Sequence, residues 1–264
     1  MDGPIGVFDS GVGGLTVARR LLEQLSQEDL LYLADTARLP YGPLPVAQVR
    51  QYALEALEFM VERGVKAMVI ACNTATAAGL EALKARAAIP VLGVIEPGAR
   101  ATAGLTRGRV GLLATEGTVK SEAYQRRLAE LIPGVEVIAQ ACPKFTPLVE
   151  SGLDDAVAIQ DAVAEYVRPL VRAKVDTIVL GCTHYPLLSR WIQAYAGEEV
   201  LVVDPALATV ELLEDELRSR GLLRPPGRPG YRQFATTGEV EKFGRVAATI
   251  LGLPGLQAVR VRLG

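Results

Sequence analysis

The strongest constraint on the fold is an order of motifs that occurs twice. Short runs rich in Val, Ile and Leu alternate along the chain with longer stretches of helical periodicity, the pattern of a parallel sheet covered on both faces by helices. Three of these runs, "PIGVFDSG", "LLYLADTARLPYG" and "KAMVIACNTA", are followed in the same order by "RVGLLATEG", "VEVIAQACPKFTP" and "DTIVLGCTHY". The echo is one of pattern, with few identities. It predicts two copies of one α/β unit, from about Gly3 to Glu96 and from about Arg107 to Asp204, joined through "IEPGARATAGLTRGR". After Asp204 nothing repeats. A helical stretch "ALATVELLEDELRSRGL", a loop "RPPGRPG", a strand "YRQFAT" and a last helix "EVEKFGRVAATIL" are expected to return to the first half. The expected class is α/β, with two pseudo-symmetric parallel-sheet domains: residues 1–98 plus 209–264, and residues 99–208.

Open parallel sheets bind ligands beyond the carboxyl ends of their strands. Asp9, Ser10, Cys72, Asn73, Thr115, Cys182 and His184 all fall at such ends, so two facing halves would gather them in one cleft. Composition sharpens the point. The chain has three cysteines and one histidine, and Asn73 is its only asparagine; His184 and Asn73 each stand in a cysteine motif. An isolated cysteine is ordinarily a small core residue, and Cys142 in "AQACPKF" is read that way. Cys72 and Cys182 read differently, because each ends a strand at an equivalent place and is followed by polar groups able to bond a thiolate or a ligand. His184, two residues beyond Cys182, reads as a proton relay or as a charge that tunes the thiol.

Other motifs admit plainer readings. Asp9 before "SGVGG" suits a helix cap with a tight glycine turn as well as it suits catalysis. "GVGG" lacks the G-x-G-x-x-G spacing of a dinucleotide site, and Asp9 would repel a phosphate there, so a tight connection or a carboxylate site fits better. Asp35, Tyr41 and Gly42 lie on a loop able to close over the cleft. Glu150 in "FTPLVESG" reads as a helix-start carboxylate, raised in interest by its place in the echo of "LADTARLPYG".

A formal charge of −2 and a pI near 5.7 offer no basic field for nucleic acid or an anionic membrane. No apolar run reaches the length of a membrane span, and "MDGPIGVFDSGVGG" lacks the basic and apolar regions of a signal peptide, so a cytoplasmic protein is expected. The cysteines show neither zinc-site nor redox-dithiol spacing, and no metal or disulfide framework is expected.

Taken together, "GVFDSGVGGLTV", "ACNTATA" and "LGCTHYP" resemble the glutamate racemases. The resemblance continues through "DTARLPYG", "ATEGTVKSEAY", "CPKFTPLVESG" and "TTGEVEKFGRVAATILG", so it covers nearly the whole chain. Two places depart from the family pattern, Pro43-Leu44-Pro45 after "PYG" and Pro205 after "VVD". The resemblance implies a homodimeric, cofactor-independent enzyme that interconverts L- and D-glutamate with two bases and supplies D-glutamate for peptidoglycan. It further implies that Asp9 serves Cys72 as base, and that His184, assisted by Glu150, serves Cys182. Substrate contacts would come from Asp9, Ser10, Tyr41, Gly42, Asn73, Thr74, Thr115, Thr118, Thr183 and His184. Two other classes compete: a hydrolase using Cys182 with His184, which leaves Cys72 idle, and a binding protein on the same scaffold.

Overall fold

The computed structural model describes residues 3–225 and 227–264. Its strands are β1 (Ile5–Asp9), β2 (Leu30–Ala34), β3 (Ala67–Ile70), β4 (Val91–Gly93), β5 (Arg109–Ala114), β6 (Glu136–Ala141), β7 (Thr177–Gly181), β8 (Leu201–Val203), β9 (Arg232–Thr236) and β10 (Ala258–Arg260). They form two wholly parallel sheets, in the orders β10-β9-β2-β1-β3-β4 and β6-β5-β7-β8. The expected α/β architecture is present, and the echo is visible as strand order: β2-β1-β3-β4 in one sheet corresponds to β6-β5-β7-β8 in the other.

Period-two alternation explains how the sheets are covered. Val7, Tyr32 and Val69 face one core cluster, whereas their neighbours Phe8, Leu33 and Ile70 face another. In the second sheet Ile178 and Leu180 enter the first cluster, and Val179 enters a third with Leu112 and Tyr124. The first cluster therefore contains residues of both sheets, and burial of its apolar surface binds the halves together.

The C-terminal strand returns to the first half as expected. β9 pairs with β2 from Leu30↔Arg232 to Ala34↔Thr236. A further strand, β10, adds to β9 at the edge, and sequence reasoning missed it. It has only three residues, two of them exposed, and so offers no apolar run to recognise. "IEPGARATAG" forms a helix over Ile95–Ala103 despite its Pro and Gly. Pro97 sits in the first turn, where a missing N–H costs nothing. A Cβ on Gly98 would stand 2.8 Å from the Tyr124 hydroxyl and 3.0 Å from Pro205, so close packing requires the glycine. Pro205 occupies the first position of the helix Pro205–Ser219, behind the Asp204 cap, where a proline is well suited.

At the opposite end of the first sheet from the cysteines, Lys66 Nζ donates to Glu28 Oε2 (2.5 Å) and to the Leu222 carbonyl (2.7 Å). Glu28 Oε1 accepts from the Arg224 backbone N–H (2.7 Å), so the pair straps the C-terminal segment to the sheet. Among the described residues no helix is long and apolar enough to cross a membrane, and no cluster of His, Cys, Asp and Glu could hold a metal ion.

Candidate active site

Cys72 follows β3 and caps the helix Asn73–Arg86, its Sγ accepting from the Ala75 N–H at 3.5 Å. Cys182 follows β7, its Sγ 3.8 Å from His184 Nδ1. Both thiols line one cavity of about 200 Å³ between the halves. That volume lies below the ~300–1,000 Å³ of pockets for drug-sized ligands and suits a small metabolite. Of the expected substrate contacts, Ser10, Tyr41, Gly42, Asn73 and Thr74 line it from the first half, and Thr115, Thr183 and His184 from the second. Asp9, Thr118 and Glu150 stand behind this layer. No lysine or arginine lines the cavity among the described residues, so an anionic ligand would rely on helix N-termini, neutral donors and the His184 ring.

The layer behind orients the one in front. Asp9 ends β1, fully buried, and its carboxylate accepts from the Gly11 N–H (2.9 Å) and from the Thr183 hydroxyl (3.0 Å). Its bonds therefore reach the turn and the opposite half, while Cys72 Sγ lies 3.6 Å from Ser10 Oγ. Glu150 differs from its expected position. It ends the helix Phe145–Glu150 instead of starting one, because Pro147 is tolerated in that helix's first turn. At a helix C-terminus a carboxylate gains nothing from the dipole. Glu150 is held instead by two donors on Oε1: His184 Nε2 at 2.7 Å and the Val12 N–H at 3.1 Å.

These contacts explain "GVGG". A Cβ on Gly11 would stand 2.4 Å from Glu150 Oε1, and one on Gly13 would stand 2.5 Å from both His184 Nδ1 and Thr183 Oγ1. The glycines admit the side chains of the other half; this is a close connection and not a phosphate cradle. Nor does Asp9 cap the following helix, whose cap position is Gly14.

Three hydroxyls form a second network across the cleft. Thr74 Oγ1 lies 2.8 Å from Thr115 Oγ1 and 3.5 Å from Thr118 Oγ1. Thr115 also caps the helix Glu116–Ser121, accepting from the Thr118 N–H at 3.3 Å. Sequence reasoning missed Tyr124, whose buried hydroxyl crosses to donate to Asn73 Oδ1 at 3.0 Å. With Oδ1 engaged, Asn73 has its NH₂ group left as a donor for a ligand. The quoted "SEAY" carried that tyrosine, but nothing in sequence linked it to position 73. Cys142 is fully buried in the shared core as expected, its Sγ donating to the Gln140 carbonyl at 3.3 Å, although it also borders the cavity.

The groups on the two sides of the cavity differ electrostatically. Burial, and then the Asp9 carboxylate, push the Cys72 thiol up to about 12, against the Ala75 N–H and Ser10, which favour the thiolate. Burial alone would lower His184, but hydrogen bonds to Cys182 and Glu150 outweigh it and hold the imidazole well above its ordinary value. Burial raises Glu150, yet its bond to His184 and that ring's positive charge bring the carboxyl below the usual range. Burial raises Asp9, opposed by the His184 charge and by the bonds from Gly11 and Thr183. Burial also pushes the Cys142 thiol well up, which keeps it protonated and inert.

Known proteins of one family match the chain. Residues 5–213 match the Asp/Glu/Hydantoin racemase family. A glutamate racemase of Geobacter metallireducens is 48% identical over 249 residues, spanning 94% of this chain and 92% of that protein. The crystal structure of a glutamate racemase isoform from Bacillus anthracis superposes with a TM-score of 0.94 at 40% identity, over 98% of this chain and 97% of the other. That of the glutamate racemase from Francisella tularensis, solved in complex with D-glutamate, gives 0.91 at 32% identity, over 99% and 97%. With that family matched over most of its length, and two strand-end thiols facing one small cavity, the chain belongs to the Asp/Glu/hydantoin racemases.

Proposed function

We propose that this enzyme is a glutamate racemase that inverts the α-carbon with two cysteines and no cofactor. The carrying observation is that Cys72 and Cys182, one from each half, line a single cavity with hydrogen-bond donors but, among the described residues, no lysine or arginine. The reading takes residues 1–98 with 209–264 as one domain and 99–208 as the other, with the substrate in the cleft between them.

Inversion needs a base on one face of the α-carbon and an acid on the other. His184, held well above its ordinary value by its bonds to Cys182 and Glu150, is the proton partner of Cys182, while Cys72, pushed up to about 12, holds its proton. This state is ready for L-glutamate: Cys182 takes the α-proton, and Cys72 returns its own on the opposite face, giving D-glutamate. Cys72 then carries the negative charge and Cys182 the proton, which is the state required for the reverse reaction. Asp9 stands close enough to influence the Cys72 charge, and Glu150 holds His184 as the partner of Cys182. The carbanion and the carboxylates would be met by the Asn73 amide, the Ser10, Thr74, Thr115 and Thr183 hydroxyls, and backbone donors at Gly42 and the helix starts. A hydrolase would leave Cys72 without a task.

The racemase would supply D-glutamate for peptidoglycan, acting in the cytoplasm as a homodimer. The purified protein should interconvert L- and D-glutamate without added cofactor, with solvent deuterium entering the α-position and no bond cleavage. Preference for aspartate, or dependence on pyridoxal phosphate, would overturn the assignment. Cys72→Ala and Cys182→Ala should each lose at least about 10³-fold in kcat, whereas Cys142→Ala should keep most of the activity.

A further inference from the structure

The loop that forms one wall of the cavity is held from outside the cavity. Asp35, fully buried just after β2, accepts from Arg38 Nε (2.6 Å), from the Tyr41 hydroxyl and from Thr237 Oγ1 (2.8 Å). Thr237, the residue after β9, also accepts from the Ala37 N–H at 3.0 Å, and its neighbour Thr236 shares a 2.7 Å hydroxyl bond with Thr36. Arg38 continues to Glu55 and lies 3.8 Å over the Tyr52 ring. On its other side the same loop reaches the second half. A Cβ on Gly42 would stand 3.2 Å from Thr115 Cβ, and one on Gly117 would stand 2.9 Å from the Gly42 carbonyl oxygen.

A buried carboxylate is costly unless its acceptors are filled. Asp35 takes no part in the proton transfers, and each of its donors either belongs to the loop or joins it to the C-terminal segment. Thr237 both donates to Asp35 and accepts from Ala37, so one hydroxyl fixes two points of the wall. The segment that repeats nothing in the first half thus gains a role: it backs the wall against which a ligand would sit.

We propose that Asp35 and Thr237 are positioning residues for racemisation, which fix Tyr41 and Gly42 so that the C-terminal segment sets substrate affinity without touching the substrate. The proposal rests on the racemase reading above. Thr237 lies 202 residues from Asp35, so its influence on the wall is invisible to local sequence patterns.

Steady-state kinetics with both enantiomers of glutamate test it. Thr237→Val keeps the shape and removes both bonds; the KM should rise about tenfold and kcat stay within about twofold. Thr237→Ser retains the hydroxyl and should return KM to within about twofold of wild type. Asp35→Asn should shift KM in the same direction; if that variant does not fold, Thr237→Val decides. An unchanged KM in Thr237→Val, a lowered melting temperature as its only effect, or no rescue by Ser would overturn the positioning role while leaving the racemase reading intact. A wild-type protein that does not racemise glutamate would overturn the racemase reading, and the positioning role with it.

Discussion

The single histidine makes the relay directly observable, because imidazole signals from tag-free protein can come only from His184. Its raised pKa contributes stability that is complete below 6.5 and is lost as pH rises through the folded value. Glu150, lowered from 4.5, contributes stability above 4.5 that is lost as pH falls through its folded value. An NMR titration should therefore find the ring still protonated well above pH 6.5 in the wild type, and its midpoint should fall in Glu150→Gln. A wild-type midpoint near 6.5 would contradict the coupling. Gly13→Ala should lower kcat by about 100-fold or more, because the added methyl meets His184 and Thr183 at 2.5 Å and displaces the groups beside Cys182. Near-normal activity would show that the close approach is not needed. Tyr124→Phe frees Asn73 Oδ1 and should raise KM several-fold for a stability cost of about 1 kcal/mol. An unchanged KM would remove Asn73 orientation from the account.

Among the elements, β1, β3, β5 and β7 were legible because each is a compact apolar run closed by polar residues, as buried parallel strands require. β10 was not, since an edge strand with two of three residues exposed needs no such run. The helix Phe145–Glu150 was hidden by Pro147, and with it the fact that Glu150 ends the helix and faces another element. The Lys66–Glu28 strap was equally silent, because a buried ion pair 38 residues apart leaves no periodic trace. It carries a prediction at this scale. Lys66→Met leaves Glu28 buried without its cation and should cost about 3–5 kcal/mol in urea unfolding. A loss within 1 kcal/mol, by the same measurement, would mean that the strap adds little to folding.

For the molecule as a whole, the repeated motif order foretold the matching strand orders, and rules for parallel sheets placed both thiols at one end. What composition and periodicity could not hold is the geometry that makes the two sides unequal. It arises from burial and from contacts between distant residues: Asp9 with Thr183, Glu150 with Val12 and His184, Ser10 with Cys72. The central claim is that the two thiols serve opposite faces of one carbon. Cys→Ser keeps size and hydrogen bonding but leaves a base far too weak at neutral pH. With a glutamate analogue bearing a leaving group at Cβ, proton abstraction alone permits elimination, so each half-reaction can be followed separately. Cys72→Ser should eliminate chiefly from the L form and Cys182→Ser chiefly from the D form. If both variants instead process the same enantiomer, the thiols do not flank the substrate, and the two-sided account fails even for an active racemase.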